Sequence, residues 1–302
     1  MTAVRIIFVP GLKPKPPPDV HRRELLRVML AALTRVRPDA AHRLAERPES
    51  FSLVAWTYQF YRSHRDIGLD LAGIERLLQQ PVPTAEDIRE IASLRRRLSR
   101  FWHVLADALP LVGRWLARPA LRLTMLEASR YLNDRDGIAS AVRALLRNEL
   151  ERAWEARERV LLIGHSLGSV IAYDTLWELS HGPQGRGERI DLFMTLGSPL
   201  ATQFIRRALR GANERGRNRY PSNIRRWVNF SAKGDVTALH QRLTPFFYEM
   251  LELDLVESLE DHVGLENHFR GHIGLNVHEV YGYLAHALVA GEIGDWLLAR
   301  DG

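Results

Sequence analysis

The sequence predicts an α/β protein, in which buried strands alternate with helices along one chain of 302 residues. An apolar run at 160–163 is followed by a glycine-flanked turn and then by a helix-like stretch at 169–179. Two further runs, at 4–9 and 192–196, are short, mainly apolar and followed by glycine or proline, as buried strands are. Because 46% of the residues are hydrophobic, the chain can bury one large core, and we expect a single domain over 1–302.

The run at 4–9 predicts the first strand, which a Pro-Gly-Leu turn ends abruptly. A helix is predicted from about Val20, because apolar residues then recur at helical spacing. These apolar residues are Leu25, Leu26, Met29 and Leu33. A second strand is predicted at 51–58.

About a hundred residues separate the strand at 51–58 from the one at 160–163, far more than a single crossover helix needs. We therefore predict a helical cap at 60–137, inserted within the single domain. The segment 138–156 is expected to return to the core as the helix that precedes the third strand.

Within the predicted cap, Thr84 is followed three residues later by Asp87, a spacing typical of a helix start. Large apolar side chains, among them Trp102 and Trp115, recur further along the insertion. We expect them mainly to pack the cap onto the sheet. An apolar acyl pocket and contact of the two tryptophans with a lipid surface are the alternatives.

The segment Gly164-His165-Ser166-Leu167-Gly168 lies between a predicted strand and a predicted helix. This is the context of a nucleophile elbow, in which glycines without a Cβ allow a tight turn that exposes the serine hydroxyl. The sequence therefore predicts that Ser166 is the nucleophile of a serine hydrolase. A purely structural Gly-Ser-Gly turn is the alternative.

A serine hydroxyl needs a base to remove its proton and an acid to orient that base. Asp235 is the predicted acid, because it leaves a strand-like run at 226–230 through a turn that contains Gly234. A turn aspartate bonded to its own backbone is the structural alternative. Asp254 and Asp261 are the remaining candidates, although neither leaves a strand through a glycine turn.

The predicted base is chosen by its position relative to the last helices. Five candidates are taken from the histidines that follow the predicted acid, namely His262, His268, His272, His278 and His286. A helix is predicted from about Glu279, which places His278 in the loop just before it. His272, in a Gly-His-Ile-Gly loop, is the second candidate, whereas we expect His286 to pack inside the helix and His165 to pack beside the elbow.

Acyl transfer also needs N–H donors that stabilise an oxyanion. The backbone N–H of Leu167, directly after the serine, is the first predicted donor. Leu12 N–H is the second, because Gly11 lets the backbone of the first strand–helix loop approach the site. A simple turn after the first strand is the alternative.

In this order, the elbow, the Gly-Ser-Pro run that follows 192–196, Asp235 and His278 resemble the α/β-hydrolase family, in particular its lipases and esterases. The resemblance implies a mostly parallel sheet flanked by helices, with an acyl-enzyme mechanism that needs no cofactor. One departure is Pro10, which stands where many relatives have histidine before the oxyanion-loop glycine.

The expected reaction is hydrolysis of a small-molecule carboxylic ester, with a lipid or other apolar acyl group. Thioester hydrolysis or acyl transfer would use the same residues. A non-catalytic protein of similar fold that binds a lipid or a partner protein is the alternative from another functional class.

Composition excludes several other classes. The chain contains no cysteine, so disulfides, a thiolate nucleophile and sulfur-ligated zinc are ruled out, and we predict no metal site. The net charge of +6 is spread diffusely, with no nucleic-acid-binding module, so we expect the basic residues mainly to form solvated faces and predict no nucleic-acid partner. Anionic lipid headgroups, in a peripheral membrane contact, are the alternative partner. Without an apolar stretch of about 18 residues or a leader peptide, a cytoplasmic location is expected.

Overall fold

The computed structural model describes residues 3–93, 119–182, 187–238 and 240–299. Eight strands are present in these ranges: β1 (Val4–Val9), β2 (Phe51–Leu53), β3 (Arg159–His165), β4 (Ile190–Leu196), β5 (Ile224–Ala232), β6 (Ser258–Leu265), β7 (Arg270–Gly271) and β8 (Gly274–Leu275). The first six form one all-parallel sheet in the order β2–β1–β3–β4–β5–β6, and β7 and β8 form a small antiparallel hairpin. The predicted α/β class, with a parallel sheet flanked by helices, is confirmed.

Helices cover both faces of the sheet. One face packs against α1 (Pro18–Val36), α2 (Pro38–Glu46), α4 (Gly68–Gln79), α12 (Val280–Ala285) and α13 (Ala287–Leu298). The other packs against α3 (Thr57–Tyr61), α6 (Pro119–Leu132), α7 (Ile138–Glu155), α8 (Leu167–His181), α9 (Gln203–Arg206), α10 (Thr244–Phe247) and α11 (Glu249–Glu252). The remaining helix, α5 (Ala85–Ile91), is tied to the β7–β8 hairpin by an ion pair between Arg270 and Asp87.

The strands are apolar because they are buried on both sides. Successive side chains of a strand point to opposite faces, so in β1 Ile6 and Phe8 join one core while Ile7 and Val9 join the other. The run at 160–163 in β3 is likewise fully buried. This two-sided burial explains why the central strands are continuous apolar runs in the sequence.

The sheet brings the predicted site segments to one edge. Val9 pairs with Gly164, and His165 pairs with Leu196, so β1, β3 and β4 end together. The chain passes from β1 to β2 on one side and then returns to β3 on the other side of β1. Such a change of direction leaves a crevice at the carboxyl ends of the strands, the usual place for a ligand in an open α/β sheet.

The described part of the predicted cap packs closely on the core. Ile74 and Leu77 of α4 are buried in the same core as α1 and α12, and Tyr131 of α6 is buried against α7 and α8. The helix start at Thr84 is confirmed, because Thr84 and Asp87 form a capping box at the first turn of α5. Residues 94–118 lie outside the described ranges, so a cap that covers the site stays a prediction.

Two local predictions are wrong. The strand predicted at 51–58 ends at Leu53, because the chain turns at Trp56 into α3 and the indole N–H donates to the Pro10 carbonyl. His286 does not lie inside a helix: its backbone is extended, and its imidazole accepts a hydrogen bond from Leu288 N–H, so α12 ends there and α13 begins.

The helix predicted at 138–156 is confirmed as α7. Among the described helices, none has the length and apolar character required to cross a bilayer.

Candidate active site

Ser166 lies in a sharp turn between β3 and α8, with φ of 54° and ψ of −127°. A positive φ is unfavourable for a residue with a Cβ, so the surrounding structure must hold this backbone. The Ser166 N–H donates to the Leu196 carbonyl at 3.0 Å, and its carbonyl accepts from the Ser169 N–H at 3.0 Å and hydroxyl at 2.6 Å. Strand β4 and helix α8 therefore fix the elbow from both sides.

The elbow also depends on the close approach of the loop that follows β1. A Cβ added to Gly11 would lie 2.7 Å from the Ser166 Cβ and 3.2 Å from its Oγ, so any larger side chain there would displace the serine. A Cβ on Gly164 would lie 2.6 Å from the Ser169 Cα, where the backbone cannot yield. The glycines of the sequence motif therefore provide space for backbone packing around Ser166.

Asp235 follows β5 through a turn and is fully buried. Its Oδ1 accepts the Thr237 N–H at 2.9 Å. Its Oδ2 accepts two further hydrogen bonds, from His278 Nδ1 at 2.8 Å and from the Tyr283 hydroxyl at 2.7 Å. A buried carboxylate is costly unless it is hydrogen-bonded, and these donors satisfy that requirement.

His278 lies in the loop directly before α12, and its side chain is 27% exposed. Because the Asp235 carboxylate accepts, Nδ1 carries the proton and Nε2 presents a lone pair. The His278 N–H donates to Asn276 Oδ1 at 3.2 Å, and its carbonyl accepts from His165 Nε2 at 2.9 Å. The imidazole is thus oriented through both its ring and its backbone.

The structure brings Asp235 and His278 into direct contact and places His278 next to the elbow. The rings of His165 and His278 lie 4.8 Å apart between centroids. A Cβ added to Gly197, the residue after the Leu196 that binds the Ser166 N–H, would be 3.1 Å from His278 Nδ1. Within the described residues, however, no hydrogen bond joins Ser166 Oγ to the imidazole.

The other late histidines have structural surroundings. His262 on β6 stacks on Phe230 with 4.9 Å between ring centroids, and His268 Nε2 hydrogen-bonds the Gln80 carbonyl at 2.9 Å. His272 lies at the exposed tip of the β7–β8 hairpin. Among the five candidate histidines, all within the described ranges, only His278 hydrogen-bonds that carboxylate.

The two alternative acids are also used elsewhere. Asp261 on β6 accepts hydrogen bonds from the Leu243 and Thr244 amides at 2.8 and 3.0 Å, which anchors the start of α10. Asp254 occupies a turn after α11 with φ of 51°.

The predicted oxyanion donors lie at the same edge of the sheet as Ser166. Leu167 is the first residue of α8, where backbone N–H groups have no partner within the helix. The Leu12 N–H makes no hydrogen bond to the described residues. Its loop is held by the Trp56 indole, which donates to the Pro10 carbonyl at 2.8 Å, and by the Tyr61 hydroxyl, which accepts from Lys13 N–H at 2.9 Å.

Tyr283 and Gly197 were not predicted to belong to the site. Tyr283 lies on the buried side of an apolar helix, so its sequence pattern is that of a core residue. Its hydroxyl donates to Asp235 and accepts the Ala232 N–H at 2.9 Å. Gly197 has φ of 57°, and a Cβ there would lie 2.8 Å from Asp235 Oδ2. In the sequence, only the position of Gly197 directly after a predicted strand could have indicated that it lies at the site.

Burial controls the protonation of the groups around this pair. Burial and the nearby Asp235 charge raise the pKa of Tyr283, so its hydroxyl remains a donor at neutral pH. Burial, together with the nearby His278, lowers the pKa of His165 well below its ordinary value. His165 is therefore neutral.

In the parts of the chain that the structure describes, no group of three or more His, Asp and Glu side chains is arranged to hold a metal ion. The residues that surround Ser166 are instead suited to proton transfer. No protein-family model matches the chain, and no curated protein and no solved structure is significantly similar to it.

Proposed function

We propose that the protein is a serine hydrolase of the α/β-hydrolase type, which cleaves carboxylic esters. The observation that carries the proposal is the hydrogen-bonded Asp235–His278 pair at the sheet edge that holds Ser166 in a strained turn. The acid is bonded to the base, and the base lies next to the elbow that carries the hydroxyl, which supports a triad of groups distant in sequence.

In the proposed reaction, Ser166 Oγ attacks the ester carbonyl while His278 Nε2 takes its proton. Asp235 stabilises the resulting imidazolium, and the Leu167 and Leu12 amides stabilise the oxyanion of the tetrahedral intermediate. His278 then protonates the leaving alcohol, and an acyl-Ser166 ester remains. Water, deprotonated by His278, attacks this ester and releases the acid and the free hydroxyl.

The first step requires Ser166 Oγ and His278 Nε2 to come within hydrogen-bond distance. Catalytic hydrogen bonds are often long without substrate and shorten when it binds. Nδ1 is held by Asp235, which leaves Nε2 as the ring nitrogen that can accept the serine proton.

A fluorophosphonate probe and short p-nitrophenyl esters test the proposal. Wild-type protein should be labelled on Ser166 and should hydrolyse the esters. Ser166→Ala should lose the label and reduce kcat by on the order of 10⁴-fold or more. Ser222→Ala, which alters an exposed serine, is the matched control and should behave as wild type.

One observation favours the alternative function, a non-catalytic binding protein of similar fold. The hydrogen bond from Ser166 to the base is not formed in the described residues. Such a protein would remain unlabelled at Ser166 although it is folded, so the same probe separates the two functions.

A further inference from the structure

We propose that His165 is a positioning residue that ties the loop of the base to the nucleophile elbow. This inference rests on the proposed function, because it concerns the distance between Ser166 and His278. His165 is the covalent neighbour of Ser166, so any bond from its side chain to the base loop links the two reacting groups directly.

The link is a single, partly buried hydrogen bond. His165 Nε2 lies 2.9 Å from the His278 carbonyl oxygen, and because a carbonyl only accepts, Nε2 must carry the proton. The bond joins residues 113 positions apart in sequence. It connects the end of β3 with the loop before α12, which no backbone ladder does.

The other ring nitrogen shows that His165 does more than fill space. Its Nδ1 is buried and has no hydrogen-bond partner in the described residues, and the whole residue is only 4% exposed. An unsatisfied buried polar atom destabilises a fold, and an apolar side chain would fill the same volume without that cost. The hydrogen bond to His278 is the feature that an apolar residue cannot supply.

Neutrality is part of the proposed role. Burial is the main cause that keeps His165 uncharged, and positive charge on His278 or Lys15 further disfavours its protonation. The Tyr283 ring completes the surroundings at 6.0 Å. His278 can therefore become an imidazolium during the reaction while the ring packed against it, at 4.8 Å, remains uncharged.

Without the His165 hydrogen bond, His278 should remain bonded to Asp235 but should be poorly oriented towards Ser166. The Asp235–Nδ1 hydrogen bond would remain, and the imidazole with its loop would pivot about it. Such a pivot moves Nε2 relative to Ser166 Oγ and leaves the binding of the ester unchanged. Loss of this hydrogen bond should therefore lower kcat and the rate of acylation and should change KM little.

A pair of substitutions isolates the hydrogen bond. His165→Met removes the donor and introduces an apolar side chain of similar length. In His165→Gln, the N–H of the side-chain amide can occupy the place of Nε2. With p-nitrophenyl esters, His165→Met should lower kcat by about 10- to 100-fold with KM within about twofold of wild type. His165→Gln should recover most of that loss.

A readout without catalysis accompanies the kinetics. In ¹⁵N-labelled wild-type protein, His165 should appear as the neutral Nε2–H tautomer from pH 5 to 8, with a slowly exchanging imidazole proton. Ser166→Ala should retain this signal. Absence of that protected proton in the folded wild type overturns the inference even if both His165 variants fail to fold.

The outcomes separate the two proposals. If wild type is neither labelled nor active, the proposed function fails. If wild type is active and His165→Met keeps its kcat, or if His165→Gln is impaired as much as His165→Met in equally stable proteins, the positioning role fails while the proposed function stands.

Discussion

Asp235 is a fully buried carboxylate whose Oδ2 accepts from both His278 and Tyr283. The tyrosine hydroxyl is itself fixed, because it also accepts the Ala232 N–H from the end of β5. This arrangement restricts the carboxylate to one rotation and therefore restricts the imidazole that it orients.

We expect Tyr283→Phe to lower kcat about tenfold with little change in KM, because one hydrogen bond that orients Asp235 is lost. The free energy of unfolding should fall by about 1–3 kcal/mol, because the buried Ala232 N–H loses its acceptor. Ester kinetics and denaturant unfolding measure the two effects.

The same helix offers a matched control for this change. The Tyr281 hydroxyl is buried and has no hydrogen-bond partner among the described residues, so Tyr281→Phe removes an unsatisfied group and should be neutral or stabilising. Equal losses in the two variants would show that the Tyr283 hydroxyl contributes nothing specific to Asp235.

Single residues also show where sequence reasoning stops. Asp235 and His278 could be predicted from local patterns in the sequence. Asp235 follows a strand through a glycine turn, and His278 lies in a loop before a helix. Tyr283 was assigned no role and His165 only packing beside the elbow, since their hydrogen-bond partners lie 48 and 113 residues away in the chain. Only tertiary pairing reveals what such side chains contact.

Between elements, a buried acid links α8 to its neighbours. Asp174 on α8 accepts the Tyr131 hydroxyl of α6 at 3.1 Å and the Arg210 N–H at 2.9 Å. Burial raises the pKa of Asp174 to about 6, which the hydrogen bonds and nearby Arg143 only partly offset.

This raised pKa predicts a pH-dependent stability. The folded protein binds the Asp174 proton more tightly than the unfolded chain does, so the stabilisation is complete below about pH 4 and is lost as pH rises through about 6. Asp174→Asn removes the titration. The free energy of unfolding of wild type relative to Asp174→Asn should therefore fall by about 3 kcal/mol between pH 4 and pH 7.5.

Urea unfolding at a series of pH values measures this difference. Asp39→Asn, at an exposed position of α2, serves as the control substitution. A wild-type curve parallel to that of Asp174→Asn over the whole range would contradict the assignment to Asp174.

Elements differed in how well the sequence predicted them. The start of α5 was readable because a capping box is local. β6 was not predicted, since most of its side chains are only partly buried and three consecutive polar residues, 260–262, interrupt its apolar pattern. The break between α12 and α13 was missed because the His286 imidazole serves as a helix cap, a role that the apolar spacing around it conceals.

For the molecule as a whole, the order of the strands determines which parts are most protected. Strands β1, β3, β4 and β5 each have neighbours on both sides. β2 is an edge strand of three residues, and β7–β8 is a hairpin of two pairs. Local opening should therefore cost least free energy at β2 and at the hairpin.

Native-state hydrogen exchange with mass spectrometry tests this order. Amides of β1, β3, β4 and β5 should exchange only through global unfolding, whereas those of β2 and the hairpin should exchange faster. Protection of β2 equal to that of β3 would contradict the expectation and would indicate cooperation over the whole sheet.

The fold class was predictable because two-sided burial leaves continuous apolar runs, as at 160–163 in β3. The strand order was not, because it depends on pairing between segments far apart in the chain. The resemblance to α/β-hydrolases implied only a mostly parallel sheet flanked by helices, and the six-stranded parallel sheet agrees with that coarse feature.

The position of the three proposed catalytic groups along the chain has a consequence for biosynthesis. Strands β1, β3 and β4, which hold the Ser166 turn, precede the segments that carry Asp235 and His278. A chain still on the ribosome therefore presents a hydroxyl with neither proton acceptor nor counter-charge. Under the proposed mechanism, acylation must wait until the segment that carries His278 has been synthesised and folded, and products truncated before it are inert towards esters.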